Sequence, residues 1–229
     1  MEIRELPENI THVKLDIGLS YNAPQSQVWL EREPNLVVFG FEPNPEAVNS
    51  ILSGNIRKKE EYHGEPIHSK YINDRFFLFP VCLSNVETPM TKVFYSTTGG
   101  DCGTSSLYKP TDFTYDEVDV KVFSLRDFFD VFPWNRFSYI DYIKIDAQGS
   151  DLDILKGAGN YLKERVVYIT AEPGDSGYHE CGHNNEHEIT KYLSSQNFIK
   201  ISHPNTQDPT YINLKFIQYK DKIFIHQRE

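Results

Sequence analysis

Short apolar runs bounded by turn-forming residues alternate with segments of helical periodicity along this chain. Such runs are typical of buried strands, and strands that alternate with helices are typical of βα units, which build a mostly parallel sheet. The pattern therefore predicts an α/β fold. The predicted strands cover residues 12–17, 36–42, 76–83, 139–146, 165–172, 197–202 and 210–218.

Three segments between these strands have helical spacing. The clearest covers 150–163, where Ser150 and Asp153 have the spacing of a capping box. Its predicted inward residues are Leu152, Leu155, Gly159 and Leu162. A second capping signal predicts a helix from Ser124 to Val131, with Leu125, Phe128 and Phe129 inward. A third helix is predicted to begin at Asn44, and its inward residues are Ala47, Val48, Ile51 and Leu52.

Two parts of the chain depart from simple βα alternation. The last two apolar runs, Tyr211 to Gln218 and Lys222 to His226, are too close for a helical crossover, so they predict an antiparallel hairpin at the C-terminal edge of the sheet. Further upstream, β-rich segments at 91–96 and 118–123 flank a loop of small residues at 97–107. A loop of this length in a compact domain is typical of a binding loop or lid.

The length and net charge of the chain limit the classes of protein to which it can belong. A chain of 229 residues suits a single domain spanning 1–229. A net charge of −10 disfavours a nucleic-acid partner, and no stretch approaches the roughly 20 apolar residues of a membrane span. Three widely spaced cysteines and an N-terminus without an apolar signal core predict a soluble, cytoplasmic protein. The sequence leaves its oligomeric state open.

Acids end three of the predicted strands. Asp16, Glu42 and Asp146 each follow an apolar run directly. Open α/β sheets bind ligands beyond the carboxyl ends of their strands, so we expect these three acids to converge on one ligand site.

The turn after the first strand suits a nucleoside cofactor. Gly18 allows a tight turn into the next helix, and Asn22 stands where a second glycine would help. Glu42 follows 24 residues after Gly18, a position from which an acid accepts ribose hydroxyl groups. Phosphate-binding residues are not evident, whereas acids such as Asp16 and Asp146 suit a sulfonium cofactor. These features favour S-adenosylmethionine over a dinucleotide.

Four motifs extend this reading. They are LDIG at 15–18, FEPNP at 41–45, GTSSL at 103–107 and IKIDAQGSDLDILKGA at 143–158. Together they resemble the FkbM-like S-adenosylmethionine-dependent methyltransferases, from about residue 13 to residue 213. Asn22 replaces the usual second glycine of that family, and Gln148 replaces its usual acid after the aspartate of the fourth motif.

The resemblance implies a fold and a reaction. The fold is a class I, Rossmann-like methyltransferase sheet of seven mostly parallel strands, with helices on both faces and the last strand antiparallel. The reaction is methyl transfer to oxygen, typically a sugar hydroxyl of a glycan or glycosylated metabolite. The residues that we expect at the cofactor site are Asp16, Gly18, Ser20, Asn22, Glu42, Pro43, Ser84, Ser106 and Asp146.

Methyl transfer to an alcohol requires a group that removes the hydroxyl proton. Asp146 is the first candidate for this base, and the alternatives for it are an ammonium contact or a helix cap. Glu172, at the end of the fifth predicted strand of the sheet, is expected to orient the acceptor. A magnesium ion shared by Asp146 and Glu172 is possible but disfavoured, because Pro173 stands where related sugar O-methyltransferases have a third carboxylate.

Histidines offer a second candidate chemistry. His179, Cys181, His183 and His187 fall within nine residues, which suggests zinc ligands. Gly182, Asn184 and Asn185 interrupt a continuous helix, and an asparagine there is better read as the cap of a helix near Glu186. We therefore predict no metal, and expect His179 or His183 to be an acceptor-site residue or alternative base, with His179 placed among the catalytic candidates.

Three other functions stay open at this point. A nicotinamide-dependent oxidoreductase would use a similar sheet, although the glycine triplet and phosphate-binding residues are missing. A methyltransferase-like domain that binds a glycan without turnover is compatible with Gln148 and Asn22. A metal-dependent hydrolase built on the histidines is the least favoured.

Overall fold

The computed structural model describes residues 3, 5–54, 64–98, 102–174, 176–202 and 208–220. Ten strands and six α-helices are present within these ranges. The strands are β1 His12–Ile17, β2 Leu36–Phe41, β3 Phe76–Phe79, β4 Cys82–Leu83, β5 Met90–Thr97, β6 Tyr115–Phe123, β7 Ile140–Ile145, β8 Val166–Ala171, β9 Phe198–Lys200 and β10 Thr210–Asn213. The helices are α1 Pro24–Arg32, α2 Pro45–Ser53, α3 Leu125–Phe129, α4 Asp151–Gly157, α5 Tyr161–Arg165 and α6 Glu186–Ser195.

Seven strands form the central sheet in the order β3-β2-β1-β7-β8-β10-β9. The pairs from β3 to β8 are parallel, whereas β10 runs antiparallel to both β8 and β9. This is the mostly parallel, Rossmann-like sheet that the sequence predicts. The strand order reverses direction between β1 and β7, and open α/β sheets bind ligands at such a switch point.

Helices cover both faces of the sheet because its inner strands are apolar on both sides. One core cluster packs α3, α4, α5 and α6 against the face that carries Val13, Leu15 and Phe39. The other packs α1, α2 and the 3₁₀ turn Leu214–Tyr219 against the face that carries Val38 and Tyr142. No helix in the described ranges has the length and apolar character of a membrane span.

The predicted β-rich insertion forms a second, three-stranded sheet in the order β4-β6-β5. β5 and β6 pair antiparallel from Met90 opposite Val122 to Thr97 opposite Tyr115, and β4 joins β6 in parallel. The predicted strand 76–83 is wrong as one element. It divides after Phe79, because Pro80 offers no N–H to the central sheet, and Cys82–Leu83 pair with β6 instead.

The predicted C-terminal hairpin is wrong in its elements. The strand ends at Asn213, whose side chain accepts a hydrogen bond from Lys215 N, and residues 214–219 form a 3₁₀ turn. The antiparallel pair at this edge of the sheet consists of β10 and β9. The second arm of the predicted hairpin, 222–226, lies outside the described residues.

The predicted helices begin near their expected positions but differ in detail. The segment 150–163 divides into α4 and α5, because Gly159 turns the backbone to a φ of 58°. Its predicted capping box is wrong, since Ser150 makes no side-chain cap and Asp153 binds Tyr108 instead. Leu52 of α2 is exposed, whereas the capping box of Ser124 and Asp127 on α3 is confirmed.

Phe128 lies at the centre of an aromatic cluster beneath the sheet. Its ring centroid lies 5.3 Å from that of Phe39, 5.2 Å from that of Phe41 and 5.7 Å from that of Phe79. We expect Phe128→Ala to lower the free energy of unfolding by about 3–5 kcal/mol, because the substitution leaves a cavity among rings that cannot close around it. Chemical denaturation measures this, with the partly exposed Phe113→Ala as a control that changes stability by less than about 1 kcal/mol. Equal losses in the two variants would contradict this packing.

Candidate active site

A cavity of about 250 Å³ lies at the carboxyl ends of β1, β2, β7 and β8. Asp16, Glu42 and Asp146, the acids expected at strand ends, all line it, and Glu172 lines it as well. Its position is the switch point of the strand order. Loop residues 103–105 and Leu107, from the insertion between β5 and β6, complete the lining.

The turn after β1 lies against the turn after β7. Gly18 has a φ of 82°, and a Cβ on it would lie 1.9 Å from the backbone oxygen of Asp146. Only glycine fits both the conformation and the close approach. Gly18 thus sets the distance between the two loops that form the floor of the cavity.

Glu42 is buried at the end of β2 and accepts three backbone hydrogen bonds. Its Oε2 atom accepts from the N–H groups of Leu19 and Ser20 at 3.1 and 3.0 Å, and Oε1 accepts from Asn44 N at 2.9 Å. A carboxylate has about four acceptor positions, so one remains for a further donor. Burial raises the pKa of Glu42 to about 7, although the three N–H donors oppose that shift.

The ammonium group of Lys144 compensates part of the negative charge of the carboxylates on the cavity floor. In the register of β1 and β7 it lies opposite Asp16, and its Nζ atom lies 3.7 Å from Asp16 Oδ1 and 3.1 Å from Asp146 Oδ2. Ser26 donates a 2.6 Å hydrogen bond to the other Asp16 oxygen. Among the described lining residues, Asp16 and Asp146 share this one ammonium group, so the described part of this end carries net negative charge and suits a cationic ligand.

Asp146 and Glu172 form a carboxyl pair whose members differ in protonation. Burial favours the neutral form of Asp146, but the Lys144 charge and hydrogen bonds from Glu172 and Gln148 outweigh it and lower its pKa. Burial and the Asp146 charge raise the pKa of Glu172 to about 9. At neutral pH, Asp146 is therefore ionised and Glu172 carries a proton. The side chain of Asp146 is 36% exposed, so its carboxylate is accessible from the cavity.

The Gln148 side chain connects this pair. Its Nε2 atom donates to Asp146 Oδ1 at 3.0 Å and to Glu172 Oε2 at 2.7 Å. The amide therefore stands where the resembled family usually has an acid after the aspartate of the fourth motif.

Two buried residues hold the turn after β7 in place. Asp151 accepts hydrogen bonds from Ala147 N at 3.3 Å and from Glu172 N at 2.9 Å, which joins the ends of β7 and β8. Asn184 accepts from Leu152 N and donates to backbone oxygens of Glu172 and Gly174. Neither residue was among the candidates from the sequence.

The cavity contains some of the sequence-predicted cofactor residues but not others. Those that line it are Asp16, Gly18, Ser20, Glu42, Pro43 and Asp146. Asn22 lies outside the lining and donates to Gly64 O, and the backbone of Ser84 packs against Gly157. Ser106 also lies outside, and its hydroxyl donates to the backbone oxygen of Gln148.

The histidine segment does not reach the cavity. His179 is exposed, and its backbone N–H binds Lys109 O. His183 lies 3.2 Å from both Asp153 and the Tyr108 hydroxyl, and Asn185 caps α6. Among the described residues, no group of three or more His, Cys, Asp and Glu side chains is arranged to hold a metal ion.

Lys144 and Ser150 are functional candidates that sequence reasoning missed. The strand alternation of β7 places Lys144 on the same face as Asp146, and this signal was available in the sequence. The Ser150 hydroxyl is buried in the cavity lining and has no hydrogen-bond partner in the described part of the chain, and the same is true of Ser20 Oγ. No sequence pattern predicts such an unsatisfied hydroxyl.

The sequence matches the model of a known protein family. The family model described as the methyltransferase FkbM domain matches residues 21–200, which is well over half of the chain. No curated protein matches the sequence.

The raised pKa of Asp151 generates a prediction about stability. Burial and the charge of Asp146 raise this pKa to about 7 from its ordinary 3.8, so the folded protein holds a proton that the unfolded chain releases between these values. Asp151 alone should therefore lower the free energy of unfolding by up to about 4 kcal/mol as the pH rises from about 4 to 7. When the free energy of unfolding is measured by denaturation across this pH range, its slope against pH should be smaller for Asp151→Asn than for the wild type. The exposed control Asp112→Asn should keep the wild-type slope, and an unchanged slope in Asp151→Asn would contradict the assignment.

Proposed function

Because this chain belongs to the FkbM methyltransferase family, it is a methyltransferase, and we propose that it transfers a methyl group from S-adenosylmethionine to a hydroxyl oxygen of a sugar, in a glycan or a glycosylated metabolite. The observation that carries this proposal is the charge of the cavity at the switch point. Four carboxyl groups face it, and Lys144 is the one basic side chain in its described lining. Such a site favours a cationic cofactor without phosphates over a dinucleotide.

The cavity lining contains buried polar groups that a bound cofactor of this kind would satisfy. Ser20 Oγ and Ser150 Oγ are buried hydroxyls in the lining that have no partner in the described residues. Buried polar groups in proteins are normally satisfied, so a ligand with polar groups would complete them. When bound, S-adenosylmethionine supplies a methyl group activated by its sulfonium charge.

Separate parts of the lining suit separate parts of the cofactor. The remaining acceptor position of Glu42 suits a ribose hydroxyl, and the apolar side chains of Leu83, Phe94 and Leu107 suit the adenine ring. The negative end formed by Asp16 and Asp146 suits the ammonium and sulfonium groups.

Asp146 is the proposed proton acceptor. Lys144 keeps it ionised at neutral pH, and its exposed carboxylate oxygens can accept the proton that the sugar hydroxyl loses. A weak base suffices, because the hydroxyl proton becomes strongly acidic as its oxygen gains the methyl group. Glu172 lines the same cavity, and its side-chain oxygens can accept a hydrogen bond that orients the acceptor sugar.

Binding of S-adenosylhomocysteine tests the cofactor assignment. We expect calorimetry to show binding by the wild type and an affinity about 10- to 100-fold lower for Glu42→Gln, since a hydrogen bond to a carboxylate contributes about 1.5–3 kcal/mol. The exposed Glu87→Gln serves as the matched control and should bind like the wild type. A folded wild type that does not bind at high micromolar ligand would refute the cofactor assignment, and equal affinities in the two variants would refute the role of Glu42.

Replacement of Asp146 tests the base. We expect Asp146→Asn still to bind S-adenosylhomocysteine through Asp16 and Glu42, although more weakly, and to lose about 10²- to 10⁴-fold in kcat at saturating cofactor with a panel of mono- and oligosaccharides. Transfer of labelled methyl groups measures this. Normal turnover by the variant would remove the base assignment, and a wild type that binds cofactor but methylates no sugar would favour a non-sugar acceptor or a domain without turnover.

A further inference from the structure

Gln148 has a backbone conformation that its side chain does not favour. Its φ is 48°, in the left-handed region, which costs an ordinary residue roughly 1–2 kcal/mol. Glycine adopts this conformation readily and asparagine is the best tolerated alternative, yet neither occupies the position. Strain of this kind persists where surrounding contacts fix it, and such positions cluster at functional sites.

The contacts that fix Gln148 all involve its polar groups. Both N–H groups of its amide are engaged, one with Asp146 and one with Glu172. Its Oε1 atom lies 3.0 Å from the Tyr178 hydroxyl, and its backbone oxygen accepts a 2.6 Å hydrogen bond from Ser106 Oγ.

These partners come from separate segments of the fold. Ser106 belongs to the loop between β5 and β6, four of whose residues line the cavity, and it pairs with Tyr95 through two backbone hydrogen bonds. Tyr178 lies in the connection after β8, and its hydroxyl also lies 2.7 Å from Thr104 O. Through its side chain and its backbone oxygen, Gln148 therefore connects the carboxyl pair to the loop that lines the cavity.

We propose that Gln148 is a positioning residue for methyl transfer, which fixes the separation of the Asp146 and Glu172 carboxyl groups and links that pair to the loop around Ser106. Its kinetic role rests on the proposed function, whereas the bridge itself does not. Asparagine is one methylene group too short to reach both carboxyl groups from this backbone position, and glutamate has the length but lacks the N–H donors. Of these three residues, only glutamine combines the reach with two donors.

Substitutions that relieve the strain separate positioning from a purely structural role. Gln148→Gly and Gln148→Asn remove the bridge but suit a positive φ, so we expect both variants to fold with at least near wild-type stability. We expect kcat to fall about 10- to 100-fold in each, while the affinity for S-adenosylhomocysteine stays within a few-fold. Asn73→Gly is the matched control, because Asn73 is exposed, has a φ of 61° and lies outside the cavity lining.

A separate experiment tests the coupling between Gln148 and the loop around Ser106. Tyr178→Phe removes the hydroxyl that meets Gln148 and Thr104, so it should lower kcat in the same direction. If the two residues act through one arrangement, the double variant Gln148→Gly/Tyr178→Phe will lose less than the sum of the single losses in free energy. Additive losses would overturn the link between the carboxyl pair and the loop.

Side-chain amide NMR of the wild type tests the bridge without any acceptor. We expect the Gln148 amide protons to exchange slowly with water, and their signals to shift in both Asp146→Asn and Glu172→Gln. Fast exchange and unchanged signals would overturn the proposal, as would wild-type kcat in Gln148→Gly. A bridge seen by NMR in a protein that methylates no sugar would leave the geometry of Gln148 standing and refute the proposed function instead.

Discussion

The close approach of carboxyl groups at the ends of four adjacent strands is the constraint on which this site depends. Like charges at such short range repel strongly once water is excluded. The fold relieves the repulsion in three ways, which are the ammonium group of Lys144, the proton on Glu172 and the backbone N–H groups that surround Glu42 and Asp151. The first keeps Asp146 ionised, and the second keeps Glu172 neutral.

These differences in charge give the carboxyl groups of the cavity different chemical roles. Asp146 stays ionised beside Lys144, whereas Glu172 stays neutral next to it, so one member of the pair accepts protons and the other donates. Glu42 lies farther along the sheet, at the end of β2, and its pKa of about 7 leaves it able to do either. A single acidic patch therefore offers different chemistry at its two ends.

The sequence predicts those features that local patterns determine. Apolar runs that end on an acid place Asp16, Glu42 and Asp146 at the sheet edge, and the length and small residues of the loop after β5 indicate a binding loop, which lines the cavity. Predictions from sequence patterns are wrong where tertiary contacts determine the local structure. Ser150 has the spacing of a cap, yet its hydroxyl lies buried in the cavity lining, and residues 214–218 are apolar enough for a strand but turn at Asn213. Ser106, expected at the cofactor, instead supports Gln148 from a segment 42 residues away in sequence.

The insertion between β4 and α3, which contains β5 and β6, completes the cavity at the edge of the central sheet. Without β5 and β6, the carboxyl ends of the parallel strands would form an open rim, but their connecting loop supplies one wall and holds Gln148 through Ser106. The strained turn at Gln148, the amide bridge and the loop thus depend on one another.

The decisive experiment is a crystal structure of the complex with S-adenosylhomocysteine. We expect a ribose hydroxyl within hydrogen-bonding distance of Glu42 and the sulfur atom facing Asp146, with the Gln148 amide still bonded to both members of the carboxyl pair. A ligand bound outside this cavity, or with its sulfur atom remote from Asp146, would contradict this expectation.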